Sequence, residues 1–122
     1  MTYSELTQRY FQSAALGAGV LEGADVHRGA AGGRAQGTWV QFDVQSNSGI
    51  IQAARFLAFG CPHTIAVSAW VAEHGVGRAA EAALPESVQQ LSDRFEVPVE
   101  KRGRLLIIED AWVAAVAGAL QR

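Results

Sequence analysis

One cysteine, Cys61, is all the thiol chemistry in 122 residues. That excludes an intrachain disulfide framework and fits a reducing compartment. A charge excess of either sign is also missing. Ten Lys and Arg stand against twelve Asp and Glu, which leaves no electrostatic footprint for nucleic acid or an anionic membrane. The longest apolar run, near the C-terminus, is interrupted by Glu109 and Asp110 and is too short to span a bilayer. Met1-Thr2-Tyr3-Ser4-Glu5 has no basic region followed by an apolar stretch, so no secretory signal is expected. These absences predict a cytoplasmic domain with no nucleic-acid and no membrane partner.

What is present suffices for a core. Apolar residues make up 49% of the chain, which decides against disorder, and its length fits a single domain over residues 1–122. Ser4 precedes Leu6, Tyr10 and Phe11 at helical spacing, predicting a short amphipathic helix over about residues 4–14. From Ala15 to Gly37, seven glycines mark a loop with one short edge strand around Val26–Ala30. Val40, Phe42 and Val44 alternate with Gln41 and Asp43 in the period of a half-buried strand. Turn residues Ser46-Asn47-Ser48-Gly49 follow, and then a second alternating run over Ile50–Phe59, so the two runs predict a β-hairpin.

Pro62 suits the first position of a helix, and Thr64–His74 is small and apolar on nearly all sides, which predicts a largely buried helix ended by Gly75 and Gly77. Arg78–Ala83 is expected to add a helical turn or two. Pro85-Glu86 is expected to open a helix carrying Val88, Leu91 and Phe95, with Pro98 beyond its end. Leu105–Leu120 is the last predicted helix, with Ile108, Trp112, Ala115, Val116 and Ala119 on one face. This order predicts an α+β fold, a small antiparallel sheet with helices packed on one face.

The reactive candidates gather at Phe59-Gly60-Cys61-Pro62-His63, where strand meets helix. The free N–H groups of a helix N-terminus favour a thiolate there, and His63 offers a proton acceptor or a second soft ligand. A closed metal site typically takes four ligands. Cys61, His27, His63, His74 and the carboxylates are available, but no Cys or His pair has metal-ligand spacing, and His74 lies roughly 20 Å along the helix from Cys61. His27 in the glycine-rich stretch can approach. Against a metal site stand plainer roles: Cys61 as a buried small hydrophobe, and His63 as a solvent-facing residue of the first helical turn. Nucleophilic catalysis lacks a third group to orient the histidine, and the glycines match no phosphate-binding loop. Glu109 and Asp110 form either an acid–base pair or, the favoured alternative, acids complementing the dipole early in a helix. Trp39, Trp70 and Trp112 are expected in the core or an interface, since no basic residues interleave with them.

Taken together, these residues resemble a family. Tyr3-Ser4-Glu5-Leu6, the hairpin end Ala54-Arg55-Phe56-Leu57-Ala58-Phe59-Gly60-Cys61, then Ile65-Ala66, Ser68 and Glu73, and finally Glu109-Asp110-Ala111 are similar to the iron–sulfur cluster assembly scaffolds, the IscU proteins and the N-terminal domain of NifU. Members read A-R-F-x-x-x-G-C-x-x-x-I-A-x-S before the central helix and L-A-E-D-A near the end. The resemblance runs from Met1 to about Leu120. It implies an IscU/SufE-like α+β fold and no enzymatic activity. It also implies iron or an iron–sulfur cluster held at Cys61 and His63, and a cysteine desulfurase or another iron–sulfur assembly protein as partner.

The family uses three cysteines, an aspartate after the first and a histidine beside the third. By the same resemblance Cys61 is the middle cysteine. The first falls near Arg34 or Ala35, the aspartate near Gln36 or Gly37, and the His-Cys pair at Gly103-Arg104. The L-P-P-V-K segment is reduced to Val97-Pro98-Val99-Glu100-Lys101. A [2Fe–2S] cluster normally takes four thiolates, so a chain with one is expected to be a degenerate scaffold that cannot hold a cluster alone, and an unloaded protein is an equal outcome. A homodimer pairing two Cys61 and two His63 would offer four ligands. The alternatives are a partner-binding or regulatory protein that keeps the fold without metal, and a sulfur-transfer protein using Cys61 as a persulfide carrier.

Overall fold

The computed structural model describes residues 3–81 and 83–120. Of the opening stretch, Met1 and Thr2 lie outside the described residues, as does Ala82. Helix α1 spans Glu5–Gln12, β1 Val26–Gly33, β2 Thr38–Asn47, β3 Ile50–Phe59, α2 Pro62–Gly75, α3 Val88–Arg94 and α4 Arg102–Leu120. The strands form an antiparallel sheet in the order β1-β2-β3. The α+β architecture matches expectation. No helix among the described residues is long and apolar enough to cross a membrane.

The hairpin forms as its alternation requires. Ser48 and Gly49 turn the chain at φ 54° and 80°, positive values that suit a tight two-residue connection. Val40, Phe42 and Val44 point inward from β2 and are fully buried, and Phe42 meets Trp112 of α4 edge-on at 5.2 Å between ring centroids. On β3 the inward residues change parity. Ile51 and Phe56 are both buried because the pairing skips Gln52, with Ser46 opposite Ile51 but Gln45 opposite Ala53.

Three expectations are corrected. The stretch read as a loop with a short edge strand contains an eight-residue strand, β1, and 3₁₀ turns over Ala14–Leu16 and Arg34–Gln36. The glycines of β1 serve packing: a Cβ on Gly29 would lie 2.6 Å from the carbonyl oxygen of Ala111, so α4 can seat directly on the strand backbone. The segment after α2 forms no helix. Gly77 and Ala80 donate backbone hydrogen bonds to Ile51 and Gly49, and Ala79 bridges Ile50, so the chain follows the end of β3. The next helix starts at Val88, not at Pro85-Glu86, because Ser87 and Gln90 form a reciprocal cap there.

The sheet's other face is partly covered. Ala18 pairs in parallel with Phe56 along the outer edge of β3, and farther on, over that face, the backbone N–H of Leu21 reaches the Asp43 carboxylate at 2.9 Å. Asp43, 1% exposed, is also held by Arg28, with Nε–Oδ1 at 2.7 Å and Nη2–Oδ2 at 2.8 Å. Nearer the end of the sheet where β3 runs into α2, Trp39 stacks on Phe59 at 6.2 Å.

Candidate functional site

Gly60, at φ 146°, lets β3 turn sharply into α2, and Cys61 becomes the N-cap of that helix. Pro62 occupies the first turn as expected. The cap position places the Cys61 thiol among the free N–H groups of His63 and Thr64. Its Sγ lies 3.8 Å from the Thr64 hydroxyl, and Arg104 Nη1 donates a hydrogen bond to it across 3.2 Å. Burial pushes the thiol's pKa up. The N–H and hydroxyl of Thr64, the N–H of His63 and the charge of Arg104 outweigh that and leave it below its ordinary value. Cys61 is half-buried, so the expectation of a buried small hydrophobe is corrected.

His63 departs further. Expected to face solvent, it is 2% exposed and lies edge-on to the Tyr3 ring at 4.8 Å. Its Nδ1 is buried and has no hydrogen-bond partner among the described residues. Burial lowers its pKa, and the charges of Lys101 and Arg104 lower it further, so all three favour the neutral imidazole. Tyr3 carries no sequence signal for this role, being sixty residues away, and the Nζ of Lys101 lies 5.6 Å from the Tyr3 ring centroid. Thr64 was also missed, although its place in the first turn after Pro62 is the signal that finds it.

The other candidates separate. His74 stacks on Trp70 at 4.0 Å at the far end of α2, as the helical distance requires. His27 packs against α4 at Gly118, toward the end of β1 away from Gly33, and so does not approach Cys61. Glu109 and Asp110 sit in the interior of α4, since the helix begins at Arg102; the expected dipole role at a helix start is corrected. Trp70 and Trp112 are core residues. The turn Arg34–Gln36 is exposed, and the pairing of Trp39 with Phe59 brings it to the same end of the sheet as Gly60 and Cys61. Among the described residues no group of three or more His, Cys, Asp or Glu is placed to hold a metal ion.

A small three-stranded antiparallel sheet backed by helices, with a capping cysteine at the β3–α2 junction, defines the class of α+β domain to which this chain belongs. The chain belongs to the NifU-like N terminal domain family, whose model matches residues 2–121. It is 30% identical over 119 residues to the iron–sulfur cluster assembly scaffold protein IscU of Haemophilus influenzae, covering 96% of this chain and 94% of that protein. IscU of Escherichia coli K12 is 30% identical over 119 residues, at 96% and 93% coverage. Among solved structures, a Fervidobacterium islandicum protein assigned as an assembly scaffold for the SUF system superposes with a TM-score of 0.75 at 14% identity, covering 93% of this chain and 96% of that one. The N-terminal NifU-like protein of Brucella abortus superposes at 0.70 with 17% identity and 94% coverage of both chains. These two likenesses carry the fold. The family model and the IscU relatives place the chain among the iron–sulfur cluster assembly scaffolds.

Proposed function

We propose that this chain, read as one NifU N-terminal-like domain over residues 1–122, is a degenerate scaffold. It binds a protein partner in iron–sulfur assembly, a cysteine desulfurase or another assembly protein, and does not hold a cluster on one chain. It works in the cytoplasm and catalyses no reaction itself. The observation that carries this reading is the guanidinium of Arg104 on the Cys61 sulfur. Iron would meet a fixed positive charge there, one thiolate and one buried imidazole, His63. The residues present do not fit a cluster.

Anaerobic incubation with iron and sulfide tests this, followed by absorbance and iron counting on separated monomer and dimer fractions. A colourless, iron-free monomer is expected. A coloured monomer with stoichiometric iron would overturn the reading, whereas colour confined to the dimer would assign the four ligands to two Cys61 and two His63.

A second reading rests on the lowered pKa of Cys61: a sulfur carrier. The Cys61 thiolate would attack the outer sulfur of a protein persulfide. A new S–S bond forms to Cys61, the donor's S–S bond breaks, and the donor leaves as a thiolate. Mass spectrometry after incubation with a cysteine desulfurase and cysteine would show one added sulfur on Cys61; its absence ends this reading.

A further inference from the structure

The misfit between this corner and a metal has a specific cause. Arg104 stands in the first turn of α4 and reaches across to the N-cap of α2, so one guanidinium and one sulfur link the starts of two helices. A guanidinium is never deprotonated in a protein, so the positive charge beside the sulfur is permanent. Lys101 adds a second positive charge within electrostatic reach of His63, which also feels Arg104. His63 is buried beneath Tyr3 rather than presented outward. A divalent cation approaching Cys61 would therefore have to displace Arg104 and share the corner with both charges.

We propose that Arg104 is a resident cation in the place of a metal ion, giving this chain a permanently occupied, metal-independent site. The proposal rests on the reading of the chain as a degenerate scaffold and adds that the Arg104 guanidinium itself takes the cation's place on the sulfur. It makes the junction between α2 and α4 a fixed guanidinium–sulfur contact rather than a site that fills and empties.

Cobalt(II) binding to the full chain tests it, because a cobalt–thiolate bond gives an intense charge-transfer band in the near ultraviolet. Wild-type protein is expected to show no such band. Arg104→Gln keeps hydrogen-bonding capacity but not the charge, and is expected to raise cobalt affinity about tenfold or more. Arg104→Cys, checked for folding by circular dichroism, is expected to develop a strong band that Cys61→Ser removes, and its melting temperature should rise with zinc. Wild-type melting should be unmoved by zinc or by a chelator. The proposal is overturned if wild type binds cobalt through Cys61 as tightly as the variants, or if Arg104→Gln and a folded Arg104→Cys bind no better than wild type. Should Arg104→Cys not fold, Arg104→Gln decides alone. The two ideas fail separately: cluster uptake by the wild-type monomer defeats the degenerate-scaffold reading, while metal-free variants defeat only the role of Arg104.

Discussion

Arg104 and Cys61, 43 residues apart, are joined by a hydrogen bond of 3.2 Å from guanidinium Nη1 to Sγ. Burial opposes a charge on this thiol; the N–H and hydroxyl of Thr64, then the N–H of His63 and last the Arg104 charge favour it, and together they leave it below its ordinary value. Arg104→Gln should move the midpoint of Cys61 alkylation to higher pH, with about three- to tenfold slower reaction at neutral pH, because less thiolate is present there. Iodoacetamide rates measured from pH 6 to 10 check this. An unmoved midpoint would show that the helix N-terminus alone sets the thiolate.

Gly29 fixes how α4 sits on the sheet. A Cβ there would lie 2.6 Å from the Ala111 carbonyl oxygen and 2.7 Å from the Ala114 carbonyl carbon, both backbone atoms that cannot rotate away. Gly29→Ala should therefore destabilise the fold by about 2–4 kcal/mol, although alanine suits a strand better than glycine. Urea denaturation gives the difference. A loss below half a kcal/mol would mean that α4 shifts freely over β1.

The hairpin was legible because Val40, Phe42 and Val44 bury one face only, and alternation records that directly. Strand β1 was not, since close approach to α4 demands small residues, and a strand made of Gly and Ala has the composition of a loop. The change of parity in β3 was invisible too: a bulge at Gln52 leaves no mark on residue type. The extended course of Arg78 and Ala79 follows from pairing with Ile51 and Ile50, a tertiary partner that local propensity does not see. At the site, the junction and its cysteine were legible from Gly60-Cys61-Pro62. The closeness of Arg104 to Cys61 was legible only through the family resemblance. The burial of His63 depends on Tyr3, and nothing in the local pattern of α2 encodes a cover supplied by the N-terminal segment.

Helix α3 has only seven residues, too few to hold without support at its start. Ser87 supplies it: its hydroxyl accepts from the Gln90 N–H at 3.1 Å, and the Gln90 side chain accepts from the Ser87 N–H at 2.9 Å. Ser87→Ala should cost about 1 kcal/mol, while Ser87→Gly should cost only a few tenths. Paired urea titrations distinguish them. Equal costs would place the effect outside the cap.

Asp43 links stability to acid. Its hydrogen bonds from Arg28 hold the carboxyl below the ordinary value of 3.8; burial works against this, and the Leu21 N–H reinforces it. A depressed folded pKa means that the unfolded chain binds the proton more readily, so acid favours unfolding. The contribution is complete above the ordinary carboxylate value and is lost as pH falls through the depressed one. Asp43→Asn keeps the shape but removes the charge from Arg28, and should cost about 2 kcal/mol at pH 7. The gap between wild type and variant should then narrow steadily below pH 4, the wild-type curve falling toward a flatter variant curve. Denaturation midpoints at pH 7, 5, 4, 3 and 2 trace it. A gap constant over that range would assign the loss to altered packing, and the Arg28–Asp43 pair would no longer explain how the Leu21 segment is held to the outer face of the sheet.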